Sequence, residues 1–232
     1  MGGLTDGTRY AFRVAVVNAM GVGPWSDPVT ATPAWTPAAP SGLTPAVAPA
    51  PGVGSGAVTL TWTAPASDGG ADITDYVVER SVDGTTWASV ETDESPATSS
   101  MVRGLANGTP YWFRVAAQNA VGISPWSDAI QATPVWRPSA ATALRAAVVG
   151  SRTVRLTWHA PSNGGAAITD YVIQHAIGGK PWTTVRDGVS TTPSRTIARL
   201  SNGTSYRFRV AARNNVGLGP WSTVATATPT AR

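Results

Sequence analysis

Apolar and polar residues alternate from 57 to 62, so that Val58, Leu60 and Trp62 share one face. A period of two marks a half-buried strand. A second alternating run, 73–80, is centred on Tyr76 and Val78. Between them, Ser67-Asp68-Gly69-Gly70 supplies residues that accept the positive φ of a reversal. Further short strands are predicted over 87–90, 100–103, 111–119 and 129–133. Those six runs, in a module read from Ser41 to Thr133, approach the strand density of a seven-stranded antiparallel sandwich of about 95 residues. The pattern then returns with Val154, Leu156 and Trp158, with Tyr171 and Ile173, and with Trp182, Ile197, Leu200, Tyr206, Phe208 and Val210. Asn163-Gly164-Gly165 stands at the same turn.

The repeat is a whole small domain. The segment 4–14 recurs at 105–115 and again at 200–210, at spacings of 101 and 95 residues, which is too long for a solenoid unit. The expected modules are 35–134 and 135–232, preceded by 1–34, where only the last two strands (8–18 and 29–32) can be read. An isolated hairpin is marginal in water, so 1–34 is read as a remnant of a longer array, with any export signal lying upstream. Residues 48–52, Ala-Pro-Ala-Pro-Gly, read as a loop insertion relative to the last module. The fold class is all-β, with two complete seven-stranded sandwiches in tandem.

Composition narrows the chemistry. The 24 glycines and 19 prolines, set against three Phe and five Tyr, imply many turns and small cores. There is no cysteine, hence no disulfide or thiolate site. Charge is uneven. Residues 35–134 hold three arginines against nine carboxylates, a net of −6, while 135–232 hold eleven arginines and Lys180 against two aspartates, a net of +10. Such fields set solubility, attraction between neighbours and docking on anionic polymers.

At Trp62 and Trp158 on the second strand, Tyr76 and Tyr171 on the third, and the pairs Leu105/Tyr111 and Leu200/Tyr206, the chain resembles tandem fibronectin type III domains. These eight residues are the expected structural core. The Leu-Tyr pairs are similar to the tyrosine corner, whose phenol reaches back to a backbone group. The wording Gly-Gly-x-x-Ile-Thr-Asp-Tyr and Asn-x-Val-Gly-x-x-Pro-Trp-Ser is similar to arrays in secreted bacterial proteins.

Few residues suggest catalysis. The histidines, His159 and His175, have no counterpart in the middle module, where Thr63 and Arg80 stand, and both are expected at the surface or at strand edges. Asp68, Asp72 and Asp75 share one turn but lack a full calcium ligand set. Asn107-Gly-Thr and Asn202-Gly-Thr match a glycosylation sequon, yet Asp6-Gly-Thr stands in the first copy. Tight reversals explain all three.

Three other groups are candidate sites. Strand parity turns Arg13, Arg114 and Arg209 outward near the Pro-Trp-Ser tryptophans Trp25, Trp126 and Trp221, a cation–π ladder. Arg207, Arg209 and Arg213 lie on one strand as a candidate anion-binding stripe. Trp35 and Trp136 fall between copies and read as aromatic plugs between modules.

The resemblance implies a non-enzymatic spacer, adhesion or accessory array, extracellular or at the cell surface, in a larger protein such as a polysaccharide-degrading one. No cofactor is expected. The partners implied are protein domains of the same or a neighbouring chain. The alternative is a binding module whose basic last domain grips an anionic cell-wall polymer, glycan or nucleic acid; the lack of aromatics within the basic stripe disfavours nucleic acid.

Overall fold

The computed structural model describes residues 2–47 and 56–231; the insertion expected at 48–52 lies outside them. All regular structure there is β. No helix is long and apolar enough to cross a membrane. The described residues gather into two compact units, one drawn from 2–46, 59–102 and 110–132, the other from 47, 56–58, 103–109 and 133–231.

The first four strands are β1 (Tyr10–Phe12), β2 (Val17–Asn18), β3 (Gly21–Val22) and β4 (Val29–Ala31). β1 pairs with β4 and β2 with β3. The strand expected over 8–18 is therefore broken at 13–16. Its counterpart in the middle module runs unbroken because a neighbouring strand templates its ladder along its length, a neighbour that β1 and β2 lack among the described residues. Val14, Val16 and Val17 are left exposed.

The middle module contains β5 (Ser41–Ala46), β6 (Val58–Thr63), β7 (Ile73–Ser81), β8 (Ala88–Val90), β9 (Ser99–Val102), β10 (Tyr111–Asn119) and β11 (Ile130–Ala132). They form two sheets, β5-β6-β9 and β11-β10-β7-β8. The last module repeats this with β12 (Thr142–Gly150), β13 (Thr153–His159), β14 (Asp170–Ile177), β15 (Thr183–Thr184), β16 (Ser194–Ile197), β17 (Tyr206–Arg213) and β18 (Ala225–Ala227). Its sheets are β12-β13-β16 and β15-β14-β17-β18. These are the two seven-stranded sandwiches.

Alternation builds both cores. Val58, Leu60, Val78, Phe113 and Val115 are fully buried in the middle module, as are Val154, Leu156, Phe208 and Val210 in the last. Trp62 meets Tyr76 edge-on with ring centroids 5.1 Å apart, and Trp158 meets Tyr171 at the same 5.1 Å, the geometry aromatic quadrupoles favour. Leu105, Leu200 and Tyr206 are buried, while Tyr111 is half-buried. The Tyr206 hydroxyl accepts the Ser201 N–H at 3.0 Å, and that of Tyr10 accepts the Thr5 N–H at 2.9 Å. The partial module thus keeps its corner without its sandwich.

The Gly-Gly turn does more than reverse the chain. Gly69 and Gly70 have φ of +75° and +81°, but a Cβ on Gly69 would also stand 2.3 Å from the Trp35 carbonyl oxygen. Trp35 N–H donates to Gly69 O at 2.8 Å, and Asn119 Nδ2 donates to Trp35 O at 2.7 Å. Trp136, Gly164 and Asn214 repeat both bonds at 2.7 Å.

This corrects the expectation of an aromatic plug at Trp35. Its side chain is 67% exposed; the residue acts through its backbone. Trp136 is half-buried, with the Arg137 guanidinium 5.5 Å from its ring centre.

Candidate functional site

An arginine–tryptophan ladder recurs in each copy, exposed in the first and half-buried in the two complete modules, and backbone bonding fixes it. After β10 the chain doubles back so that Ser127 N–H donates to Val115 O at 2.8 Å while Val115 N–H donates to Ser127 Oγ at 3.1 Å. Ser222 and Val210 repeat the exchange at 2.8 and 3.1 Å, and Ser26 and Val14 at 2.9 and 3.1 Å. The serine of Pro-Trp-Ser therefore sews the segment to the strand, and the tryptophan before it lies beside the strand's arginine. Arg13 stands 4.7 Å from the Trp25 ring centre, Arg114 4.4 Å from Trp126 and Arg209 4.4 Å from Trp221.

In both complete modules a second indole lies against the same guanidinium. Trp87 lies 4.1 Å from Arg114, and Trp182 lies 4.3 Å from Arg209. Trp87 is aimed by the turn after β7, where the Asp83 carboxylate accepts the N–H groups of Thr85 and Thr86 at 2.8 and 2.7 Å and the Ser81 hydroxyl at 2.8 Å. Those bonds, the one from Thr86 foremost, hold the Asp83 carboxyl far below the usual range. A guanidinium held against two indoles gains cation–π attraction from each. Trp87 and Trp182 were legible only as strand residues; the signal that could have found them is a tryptophan immediately before the same strand in each module.

The edges of the two arginines differ. Arg114 Nε and Nη2 donate to Glu79 Oε2 at 2.8 and 2.6 Å, an ion pair. Arg209 Nε and Nη2 donate to the amide oxygen of Gln174 at 2.9 and 2.6 Å, so its charge meets no carboxylate there. Desolvation lowers its pKa.

The residues of the candidate anion stripe all lie on β17. Arg207 and Arg209 both lean on Trp182, at 5.1 and 4.3 Å, and Arg207 Nη2 donates to Lys180 O at 3.4 Å. Arg213 is exposed, paired in register with Asp170.

His159 is exposed at the end of β13. His175 is not at an edge, contrary to expectation. It sits half-buried within β14, between β15 and β17, with its ring 5.7 Å from Tyr206 and its Nδ1 buried without a hydrogen-bond partner among the described residues. Desolvation pushes its pKa down.

The turn carboxylates go separate ways. Asp68 accepts Gly70 N–H at 2.8 Å and Asp75 accepts Ser95 N–H at 3.0 Å. In the sequons, Asn107 Oδ1 accepts Gly56 N–H at 3.0 Å and Asn202 Oδ1 accepts Arg152 N–H at 2.8 Å. Both asparagines tie their turn to the start of a neighbouring strand.

Two sandwiches of three and four strands match what comparison with known proteins returns. The family described as "Fibronectin type III domain" matches residues 47–133 and 139–228. The chain belongs to the fibronectin type III family. It is 34% identical over 226 residues to Titin of Drosophila melanogaster, covering 93% of this chain and 1% of that protein. It is 31% identical over 229 residues to human Myomesin-2, covering 94% of this chain and 15% of the relative. Mouse cardiac-type Myosin-binding protein C is 33% identical over 171 residues, 72% of this chain and 14% of the relative. The chain therefore spans a small part of each. Among solved structures, the chicken CNTN1 FN1-FN3 domains align over 84% of this chain and 67% of theirs at 23% identity, with a TM-score of 0.43. The relatives named are animal proteins, and the likeness to secreted bacterial arrays finds no support among them. Matches to tandem modules of this family are consistent with a non-catalytic structural or binding module.

Proposed function

We propose that the chain is a non-catalytic spacer that presents protein-binding modules within a larger protein. The observation that carries this is the use already made of the side chains that looked free for chemistry. Arg114 and Arg209 are each covered by two indoles and hydrogen-bonded along an edge. A ladder so filled stiffens a β-sheet surface. A setting outside the cell or at its surface, in a polysaccharide-degrading protein, belongs to the same proposal.

A spacer should resist tension module by module. Stretching the intact chain between terminal handles is expected to give two unfolding steps, each releasing about 30 nm, since an extended residue spans about 3.3–3.6 Å. One step of double length, or no resistance, overturns the reading.

The second reading, a grip on anionic polymer, is favoured by the net charge of +10 over 135–232 and by the exposed Arg213. It requires salt-sensitive retention of the intact chain on an anionic polysaccharide column, because neutralised charges release counterions. It also requires that retention be lost in the triple variant Arg207→Glu, Arg209→Glu, Arg213→Glu. Elution at low salt removes it.

A further inference from the structure

Three turns of identical build recur in the chain, at 6–8, 107–109 and 202–204, each an Asp or Asn followed by Gly-Thr. The central glycines have φ of +72°, +81° and +75°. Their N–H groups donate to the carbonyls of Pro33, Pro134 and Pro229 at 2.9, 2.9 and 2.8 Å. The threonine N–H groups close the turns onto Thr5, Ala106 and Ser201 at 3.2, 3.2 and 3.4 Å.

Two of these turns are covered, and by the same thing. Within the first unit Gly70 lies against Gly7 so closely that a Cβ on Gly70 would stand 2.2 Å from Gly7 N. Within the second unit a Cβ on Gly165 would stand 2.4 Å from Gly108 N. Seen from the other side, a Cβ on Gly7 would meet the Gly70 Cα at 3.1 Å and one on Gly108 would meet the Gly165 Cα at 3.0 Å. Contacts of this kind are backbone against backbone, so they exclude every residue with a side chain at Gly70 or Gly165 whatever its φ tolerance. The third turn has the same conformation and the same bonds, but around Gly203 nothing among the described residues lies within 4 Å of an added Cβ.

The geometry points to the 202–204 turn as a docking face for the Gly-Gly turn of another fibronectin type III module. The occupant is specified by the two covered turns. It must present two consecutive positive-φ glycines after an Asp or Asn, as Asp68-Gly69-Gly70 and Asn163-Gly164-Gly165 do. The side-chain oxygens of Asp68 and Asn163 accept the second glycine's N–H at 2.8 and 2.9 Å and so shape the approaching turn. This inference rests on the spacer-array reading and names the partner of its last module.

The test uses the absence of cysteine from the chain. A second copy of 135–231 is joined directly after Pro229, and a nitroxide is placed at Ser201→Cys. A parallel sample carries the label at Ala106→Cys, beside the turn that Gly165 already covers. The amides of Gly164 and Gly165 are expected to broaden with the label at 106, and those of the appended Gly-Gly turn with the label at 201. Changing the appended second glycine to Asn, which tolerates positive φ but adds a Cβ, is expected to remove only the latter. Broadening at 106 without broadening at 201 overturns the docking proposal and leaves the array reading intact. Loss at both overturns the array reading as well. Equal broadening in the Asn variant overturns the proposal by showing that contact does not need the glycine.

Discussion

Arg209 donates through Nε and Nη2 to the single amide oxygen of Gln174, in the place where Arg114 holds the carboxylate of Glu79. The two modules therefore carry the same ladder with different electrostatics. Gln174→Glu is expected to give the last module the ion pair of the middle one and raise its stability by about 0.5–1 kcal/mol, the upper range for a partly exposed pair. Glu79→Gln should cost a similar amount in the middle module. Denaturant unfolding of both variants, at low and at high salt, checks sign and screening.

Truncation of the core indoles should be costly. Trp62→Ala and Trp158→Ala each empty a buried site against a tyrosine ring, and a loss of about 3–5 kcal/mol is expected for each. A loss below about 1 kcal/mol in equilibrium unfolding would contradict the packing of β6 or β13.

His175 should make the last module acid-sensitive. Burial lowers its folded pKa below the ordinary 6.5, so between the two values the unfolded chain binds the proton and the folded chain does not. Stability from this group is full above pH 6.5 and falls as pH drops from there toward the folded value. His175→Gln is expected to flatten that slope. Denaturation midpoints followed at resonances of 135–232 from pH 7.5 to 5 would show it.

The tyrosine corner can be tested by one atom. Tyr206→Phe removes the hydroxyl that accepts the Ser201 N–H while keeping the buried ring, and a loss of about 0.5–1.5 kcal/mol is expected. Faster hydrogen exchange at Ser201 is the accompanying sign.

The strands were legible because one face of each is buried, and burial on one face imposes a period of two that Val58, Leu60 and Trp62 display openly. His175 was misplaced although the same parity was available: it shares a face with Tyr171 and Ile173 on β14. Its polar character concealed the inward position. Trp87 and Trp182 were hidden for another reason. What brings them over Arg114 and Arg209 is turn geometry, such as the bonds at Asp83, and turns leave no periodic trace. The role of Trp35 could not be read from its side chain, since the group in use is a carbonyl that every residue has.

That carbonyl has a consequence for how such a chain can change. Asn119 and Asn214 grip the oxygen of residues 35 and 136 by a side-chain amide, and the same residues donate their N–H to Gly69 and Gly164. Any amino acid except proline satisfies both bonds, so the indole can be exchanged without loosening the grip. What a module shows to its surroundings and how its first segment is anchored are thereby separate variables: one is free to drift, while the other is written in two glycines and an asparagine.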